Sequence, residues 1–539
     1  MDYKKENGAY YTPDYLAEYI VNEIFTNYAF DNQNIKILEP SCGDGVFIKS
    51  LLNTELIPQE IPLMIDVVEK NKEEIEKVRL HKLNRSTYDK VNLFTTDFLD
   101  FNSSGRKYDL IIGNPPFINK RVLSEKQILN SETTFLEHRL DPKNFKNIWM
   151  SFVLKSISML KDNGILCFVL PSEFLQVNYS SELRSFLLKS FVEIKIYVFK
   201  ELVFEKIEQD VIILFLSEKG KTNSVDYFQI NDLDNVRKKL KLKPNTIFYN
   251  DQEKWSNYSL SNSDINFINN MKTKFEKVNK YCTATAGIVT AANNYFIVNK
   301  NRAVEYGLLD DSYPVIKKSS YLPKGIKFTN EQFNLLEEKG LPTQLLFFDK
   351  MDINEYQDGI RKYLNEGIEQ EIHLRYKCKK RTQWYKIPFL EASEGIFFKR
   401  SNLIPKIIVN SAEVLNTDSG YRIIMKNGYM IQNLVFSFYN SFTLLMSELN
   451  GRYYGGGVLE LTPNEFKNLP IPYCEVTEKE FNHLDNLFKN GYTTEEILEY
   501  TDEIILKRNF NLTNEEIKFL KEIRRKLNQR RIHKINRSL

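Results

Sequence analysis

The tightest constraint on the fold lies in the first 216 residues, where short apolar runs recur with helical patterns between several of them. The runs fall at 35–38, 64–68, 91–94, 109–113, 165–170, 194–199 and 211–216, most of them bounded by Gly, Pro, Asp or Asn. Such runs are short for helices and largely continuous in their apolar character, so each reads as a strand buried on both faces. Residues 149–160, and Leu16, Ile20, Val21 and Ile24 after the Thr12-Pro13 start signal, keep helical spacing. Strands alternating with helices predict a mainly parallel, doubly wound α/β sheet of seven strands.

Beyond about Ser217 the alternation decays. The basic stretch 235–244, which ends in Pro244, reads as linker or surface, and 250–475 mixes short β-like runs with Lys-, Asn- and Tyr-rich loops. The expected boundaries are a Rossmann-like domain over 1–235, a mixed α+β domain over 236–475 and a helical basic tail over 476–539. Residues 518–539 carry nine Lys or Arg against one acid, Glu522, either as a solvated amphipathic helix or as a nucleic-acid contact. The whole chain has 74 basic and 71 acidic residues, so any affinity for nucleic acid must come from local clustering. Its five cysteines are far apart, with no CxxC pair, and its five histidines show no metal-ligand spacing. That pattern excludes a disulfide framework, points to no metal site and fits a reducing cytoplasm. The N-terminus has no apolar signal core, and no run approaches the ~20 apolar residues of a membrane span.

The densest chemistry follows the fourth run, in Asp109-Leu110-Ile111-Ile112-Gly113-Asn114-Pro115-Pro116-Phe117. Two consecutive prolines neither continue a ladder nor start a helix, so the chain is held extended past the strand's carboxyl end. Open α/β sheets place their ligands there. The Asn114 side-chain oxygen and the Pro115 carbonyl form a rigid acceptor pair for both hydrogens of one planar amino group. Drawing those hydrogens out of the ring plane localises the nitrogen lone pair and lets a poor nucleophile attack. Phe117 offers a face on which a planar base can stack. Asn-Pro-Pro alone also suits a turn that merely ends a strand.

Upstream elements describe a second ligand. Glu39-Pro40-Ser41-Cys42-Gly43-Asp44-Gly45 is a tight loop between strand and helix. Gly43 and Gly45 permit close backbone approach, and the helix N-terminus beyond them favours a carboxylate or phosphate. Position 48 is Ile, so the loop is not Gly-x-Gly-x-x-Gly, which argues against a dehydrogenase. Glu69 ends the second strand 24 residues after Gly45, where an acid suits the two hydroxyls of a ribose, although alone it reads equally as a surface acid. In Asp97-Phe98 the carboxylate can accept from an adenine amino group and the ring can cover the adenine face. Together these parts describe a site for S-adenosylmethionine beside a grip for an amine-bearing base.

With these motifs the chain resembles the gamma-class N6-adenine DNA methyltransferases of restriction–modification systems, the Taq-type group. Gly8-Ala9-Tyr10-Tyr11-Thr12-Pro13 resembles that class's N-terminal cofactor motif, and the other elements follow in the class's order. The likeness covers about residues 5–216 with specific motifs, and the rest only loosely, through Thr285-Ala286-Gly287-Ile288-Val289-Thr290 and 455–472. It implies a seven-stranded methyltransferase sheet followed by a target-recognition domain, with a cleft between them for duplex DNA. The target adenine is flipped out, because a stacked base cannot present its amino group to the cofactor. The resemblance implies that Tyr11, Thr12, Glu39, Pro40, Gly43, Gly45, Glu69, Asp97, Phe98 and Asn114 hold S-adenosylmethionine. It also implies that Asn114 and Pro115 activate the amino group while Phe117 stacks on the base. Phe204, in Leu202-Val203-Phe204-Glu205, stands where relatives pack a second aromatic on the flipped base, and it equally suits a core position. The class often has Tyr at the place of Phe117, so stacking is kept here and any phenol hydrogen bond is lost.

Methylating a pyrimidine ring carbon needs a thiolate, and none of the five cysteines lies in a Pro-Cys context. The same acceptors would serve exocyclic cytosine, but in that family Ser usually replaces the Asn, so adenine is the expected base. Lys377-Cys378-Lys379-Lys380-Arg381-Thr382-Gln383-Trp384-Tyr385-Lys386 packs five cations and two aromatics into ten residues without an acid. Such a run also suits a solvated loop, but placed in a recognition domain Lys377, Lys379, Lys380 and Arg381 are expected to contact DNA phosphates. Expected partners are duplex DNA, with room for a separately encoded cognate endonuclease, and the chain itself is expected as a monomer or weak dimer. The rival readings are a methyltransferase acting on RNA or on protein glutamine through the same Asn-Pro-Pro-Phe, and a non-catalytic DNA-specificity module.

Overall fold

In a computed structural model of the chain, described over residues 11–30, 33–80, 89–200, 203, 210–231, 236, 242–249, 254–454 and 457–532, the chain divides into two compact units between Ile265 and Asn266. The first unit is built on β1 (Ile35–Glu39), β2 (Leu63–Glu69), β3 (Lys90–Thr95), β4 (Tyr108–Gly113), β5 (Leu160–Pro171), β6 (Phe191–Phe199) and β7 (Val211–Lys219). Each contains one of the seven apolar runs. Helices α1 (Asp14–Asn27), α2 (Val46–Asn53), α3 (Lys72–Arg79), α4 (Glu125–Glu137) and α5 (Trp149–Met159) alternate with them.

The sheet has nine strands rather than the expected seven, because β8 (Ser224–Ile230) and β9 (Asn245–Phe248) extend one edge, giving the order β3-β2-β1-β4-β5-β7-β6-β8-β9. β8 reads Ser-Val-Asp-Tyr-Phe-Gln-Ile, a diluted pattern next to the central runs, in which Val225, Tyr227 and Ile230 are buried. The first unit thus continues past the expected limit at 235. The Tyr227 hydroxyl bonds to the Tyr249 hydroxyl at 2.8 Å and donates to the Trp255 carbonyl at 3.2 Å, which holds this extension on the sheet.

Strands β1 to β5 pair in parallel, while β7 runs antiparallel between β5 and β6. Successive side chains enter opposite faces: Ile37, Leu110 and Ile112 belong to one apolar cluster, and Leu38, Ile111 and Leu166 to the other. A core on each face is why these runs are continuous rather than alternating. The chain leaves β3 at the sheet edge and returns as β4 beside β1, with Leu38 opposite Ile111. The order therefore reverses between β1 and β4, and the carboxyl ends of those two strands open a crevice.

The second unit is mixed α+β. Its five-stranded sheet runs in the order Cys282–Ala286, Gly420–Met425, Gly395–Phe398, Lys406–Asn410, Lys327–Phe328, and smaller sheets of four and three strands accompany it. The segment expected as a separate tail belongs to this unit. Its last helix, Asn514–Ile532, packs on helix Ser441–Asn450. Arg531 lies 2% exposed and grips the Glu448 carboxylate at 2.8–2.9 Å, and Arg524, 3% exposed, pairs with Glu495. The helix's basic character thus goes partly inward, toward the buried Glu448 and the half-buried Glu495. Among the described residues no helix is long and apolar enough to cross a membrane.

Candidate active site

At the carboxyl ends of β1, β2 and β4 lies a cavity of about 690 Å³, well within the range of small-molecule sites. Its floor is the loop after β1. Gly43 and Gly45 adopt the left-handed conformation, with φ of +52° and +82°. A side chain on Gly45 would come within 2.8 Å of Val78 Cγ2. Gly45 caps α2 and does not line the cavity, so its part is to turn the chain and let α3 approach.

Glu69 orders this loop from the end of β2, its Oε2 accepting from the Gly43 amide at 3.1 Å and its Oε1 from the Asn71 amide at 2.8 Å. Asp97 is held likewise, its Oδ1 accepting from the Leu99 amide at 2.9 Å and its Oδ2 from Gln127 Nε2 at 2.8 Å, with Lys70 Nζ at 3.6 Å. Phe98 is buried against Phe152 of α5, with ring centroids 4.9 Å apart. The Tyr11 hydroxyl donates to Glu74 at 2.8 Å, and its ring lies over Gly43. Burial, then Glu74, pushes the Tyr11 phenol above its ordinary value.

The acceptor motif meets this floor directly. Ser41 Oγ donates to the Asn114 carbonyl at 3.2 Å, and a Cβ on Gly113 would stand 3.3 Å from Pro40 Cδ. Asn114 Nδ2 donates to Thr12 Oγ1 at 3.2 Å, which brings residues 102 positions apart into one wall. Tyr11, Thr12, Glu39, Pro40, Gly43, Glu69, Asp97, Phe98, Asn114 and Pro115 all line the cavity. Phe117 does not; it is half-buried, packed against both core clusters. Phe204, and Gly8 to Tyr10 of the N-terminal motif, lie outside the described residues.

Sequence reasoning missed Gln127. Its side chain closes a capping box with Ser124 at the start of α4 and, by donating to Asp97, ties that helix to the cavity wall. Ser124-x-x-Gln127 was visible as a cap signature, but its partner across the cavity was not. In the second unit Arg381 departs from expectation. It donates to the Val289 and Thr290 carbonyls at 2.9 Å and to the Trp384 carbonyl at 3.3 Å, so it braces a loop instead of standing ready for phosphate. Lys377, Lys379 and Lys380 are exposed.

The electrostatics favour a cationic ligand. Six carboxylates (Glu39, Asp44, Glu69, Glu73, Glu74 and Asp97) line the cavity against three lysines (Lys70, Lys72 and Lys77). A pyrophosphate would be repelled by that excess, and a sulfonium bearing an ammonium would be attracted. Glu39 is the sharpest test: it is fully buried, and neither carboxylate oxygen has a hydrogen-bond partner among the described residues. Burial, then Asp44 and Glu69, raises its carboxyl well above the ordinary value. A carboxylate left so is costly unless a ligand cation pairs with it, and the α-ammonium of S-adenosylmethionine fits that need.

Fold and site together define an S-adenosylmethionine-dependent methyltransferase. Residues 49–204 match the family described as Eco57I restriction-modification methylase, and residues 252–506 match the one described as Type II methyltransferase M.Eco57I, C-terminal domain. Type II methyltransferase M.AccI of Acinetobacter calcoaceticus is 26% identical over 513 residues, spanning 91% of this chain and 90% of that protein. M.HincII of Haemophilus influenzae is 24% identical over 439 residues, spanning 78% and 77%. The chain is thus similar, over most of its length, to the Eco57I-like Type II restriction–modification methyltransferases. Among solved structures, the Type IIL restriction-modification enzyme MmeI in complex with DNA shares the fold with a TM-score of 0.60 at 13% identity, covering 98% of this chain and 80% of that one.

Proposed function

We propose that this enzyme methylates the exocyclic N6 of an adenine flipped out of duplex DNA, as the modification enzyme of a restriction–modification system. The observation that carries this reading is the Asn114–Pro115 pair of acceptors on the wall of a carboxylate-rich cofactor cavity. Duplex DNA as substrate is supported by the modification enzymes it resembles and by the DNA complex of MmeI. All five cysteines are buried, and burial pushes the Cys42 thiol beside the cavity up, so no thiolate serves ring-carbon methylation. Asn at position 114 favours adenine over cytosine.

In this reading Glu39 pairs with the cofactor's ammonium, Glu69 accepts from the ribose hydroxyls and Asp97 from the adenine amino group, with Phe98 along the ring. S-adenosylmethionine supplies an electrophilic methyl carbon on its sulfonium. Asn114 Oδ1 and the Pro115 carbonyl each accept one hydrogen of the target amino group, orienting its lone pair and excluding water from it. Phe117 is the aromatic assigned to stack on the flipped base. Transfer would form the N6–carbon bond as the carbon–sulfur bond breaks, and the proton that N6 then sheds would leave past its two acceptors to water, so neither a covalent intermediate nor a strong base is needed. The second unit is assigned as the target-recognition domain, where the exposed Lys377, Lys379 and Lys380 touch phosphates.

The test is expression in a host lacking adenine methylation, with modified bases mapped by single-molecule sequencing. One recurring motif carrying N6-methyladenine is expected, and Asn114→Ala should lower its rate of formation about 10²–10³-fold. A genome left unmodified by soluble protein refutes the reading. Replacing Lys379 and Lys380 with Ala should weaken binding to all duplexes and reduce the salt slope by about two. A change in the methylated sequence would instead place these lysines on base edges.

A further inference from the structure

Arg381 braces the turn that ends the stretch 285–290, donating to the Val289 and Thr290 carbonyls at 2.9 Å. The rest of that turn is pinned as well. The Gly287 amide donates to the Gly420 carbonyl at 3.0 Å and the Ile288 amide to the Asn416 carbonyl at 2.8 Å. Gly287 has no room for a Cβ against the Asn416 and Thr417 carbonyls. Ala291 takes the left-handed conformation, with φ of +66°, which a residue with a side chain rarely adopts. Thr290 Oγ1 accepts from the Ala292 amide at 3.1 Å and donates to Asn293 Oδ1, so the chain enters the short helix Asn293–Phe296 on a fixed path. A strained turn held from so many sides directs attention to what it presents.

It presents Asn294, which is exposed. Lys317, directly after the strand Ser312–Ile316, donates from Nζ to Asn294 Oδ1 at 2.8 Å. The Lys317 backbone is fixed too, its carbonyl accepting from Thr417 Oγ1 at 2.9 Å and from Ser419 Oγ at 3.4 Å. Lys317 is half-buried, and among the described residues its ammonium meets no carboxylate. Burial, then Lys318, pulls that ammonium below the ordinary lysine value. An ammonium can only donate, so the Asn294 amide must offer it the oxygen and keep its NH2 for another partner. The pair therefore shows a ligand donors alone: the Asn294 NH2 and the remaining hydrogens on Lys317 Nζ. In the major groove two neighbouring acceptors, O6 and N7, belong to guanine. Adenine and thymine each offer one acceptor, and cytosine offers a donor. A phosphate also accepts, yet a lone lysine serves it as a point charge, with no need of a neutral amide locked beside the cation. Resting on the DNA-methylation reading above, we propose that Lys317 and Asn294 together read the O6 and N7 of one guanine in the target sequence, setting specificity at a base other than the one methylated.

The experiment starts from the mapped motif and reads binding without turnover. Duplexes carrying 7-deazaguanine, in which a C–H replaces N7, at one guanine at a time are titrated with the full chain and S-adenosylhomocysteine, the product that cannot donate a methyl. Wild-type affinity should fall about tenfold at the guanine that the pair reads. Asn294→Ala and Lys317→Met should each erase that penalty at one and the same guanine. Each should also lower discrimination against adenine there roughly 10–100-fold, by binding and by the methylated motif, with the other positions unchanged. Asn294→Ala alters no charge, so its binding should keep the wild-type salt slope. A motif without guanine, a wild-type affinity indifferent to every 7-deazaguanine, or variants that keep both penalty and motif overturn the proposal. So does a Lys317→Met chain that binds all duplexes equally more weakly with its motif intact, the signature of a phosphate contact. Either variant alone suffices, and the wild-type arm depends on neither folding. A wild-type chain that modifies no duplex overturns the methylation reading, and this proposal falls with it; the other outcomes overturn this proposal alone.

Discussion

Glu39→Gln should stabilise the ligand-free protein and cost it the cofactor. In the folded chain the buried Glu39 carboxyl holds its proton well above its ordinary value of 4.5, chiefly through desolvation. An unfolded chain has lost that proton once the pH passes its ordinary value. The folded state therefore binds the extra proton, and stability falls as pH rises, until the folded carboxyl itself ionises. One proton of difference is worth about 1.4 kcal/mol per pH unit. For a unit of this size that is roughly 3–5 °C per pH unit in the thermal midpoint. Gln cannot ionise, so its midpoint should lack this slope, and whatever its own buried amide costs is constant with pH. Saturating S-adenosylmethionine should reverse the order: at 100 times Kd the wild type gains about 2.7 kcal/mol and the variant gains little. Differential scanning fluorimetry from pH 5 to 7, with and without cofactor, reads both effects. Parallel pH profiles, or undiminished cofactor binding by the variant, would refute the assignment of Glu39 as a carboxyl awaiting a cation.

Three further outcomes follow from the geometry. Gln127→Leu removes the donor that Asp97 Oδ2 accepts at 2.8 Å and should raise the cofactor Kd roughly tenfold with kcat nearly unchanged, by calorimetry and steady-state kinetics. Gly45→Ala forces a side chain to φ +82° against Val78, at about 1–2 kcal/mol for the backbone and about 1–3 kcal/mol for the clash. Val78→Ala should recover only the second part in denaturant titrations. Arg531→Ala leaves Glu448, 4% exposed, without its cation and should destabilise the second unit by about 3–5 kcal/mol, and adding Glu448→Gln should recover much of that loss. Limited proteolysis of helix Asn514–Ile532 reads that change.

The central strands were legible because a parallel strand buried on both faces must be apolar throughout, as in β4 and β5. β8 and β9 escaped notice because Asp226 and Gln229 interrupt the one and the other is only four residues long. The cavity wall was legible where local backbone chemistry leaves a mark. Gly43 and Gly45 occupy the left-handed conformation, and Asn114 stands before two prolines. Gln127 went unremarked: its Ser124-x-x-Gln127 spacing marks a helix cap at most, and nothing in its neighbourhood reveals Asp97 across the cavity. Arg381 read as a phosphate contact because its neighbours are lysines, yet its partners Val289 and Thr290 lie 92 and 91 residues away.

By itself, then, the order of residues determined an α/β sheet, a glycine turn after β1 and a pair of acceptors after β4, since each depends on steric limits within a few residues. Tertiary structure alone decided which charges face a ligand and which are spent inside. Among the described residues Glu39 waits without a partner while Arg531 is consumed by Glu448, although both are ionisable side chains lying almost wholly out of water. The reason is that an ion's fate rests on desolvation and on the nearest opposite charge. Both are set by segments that only folding brings together.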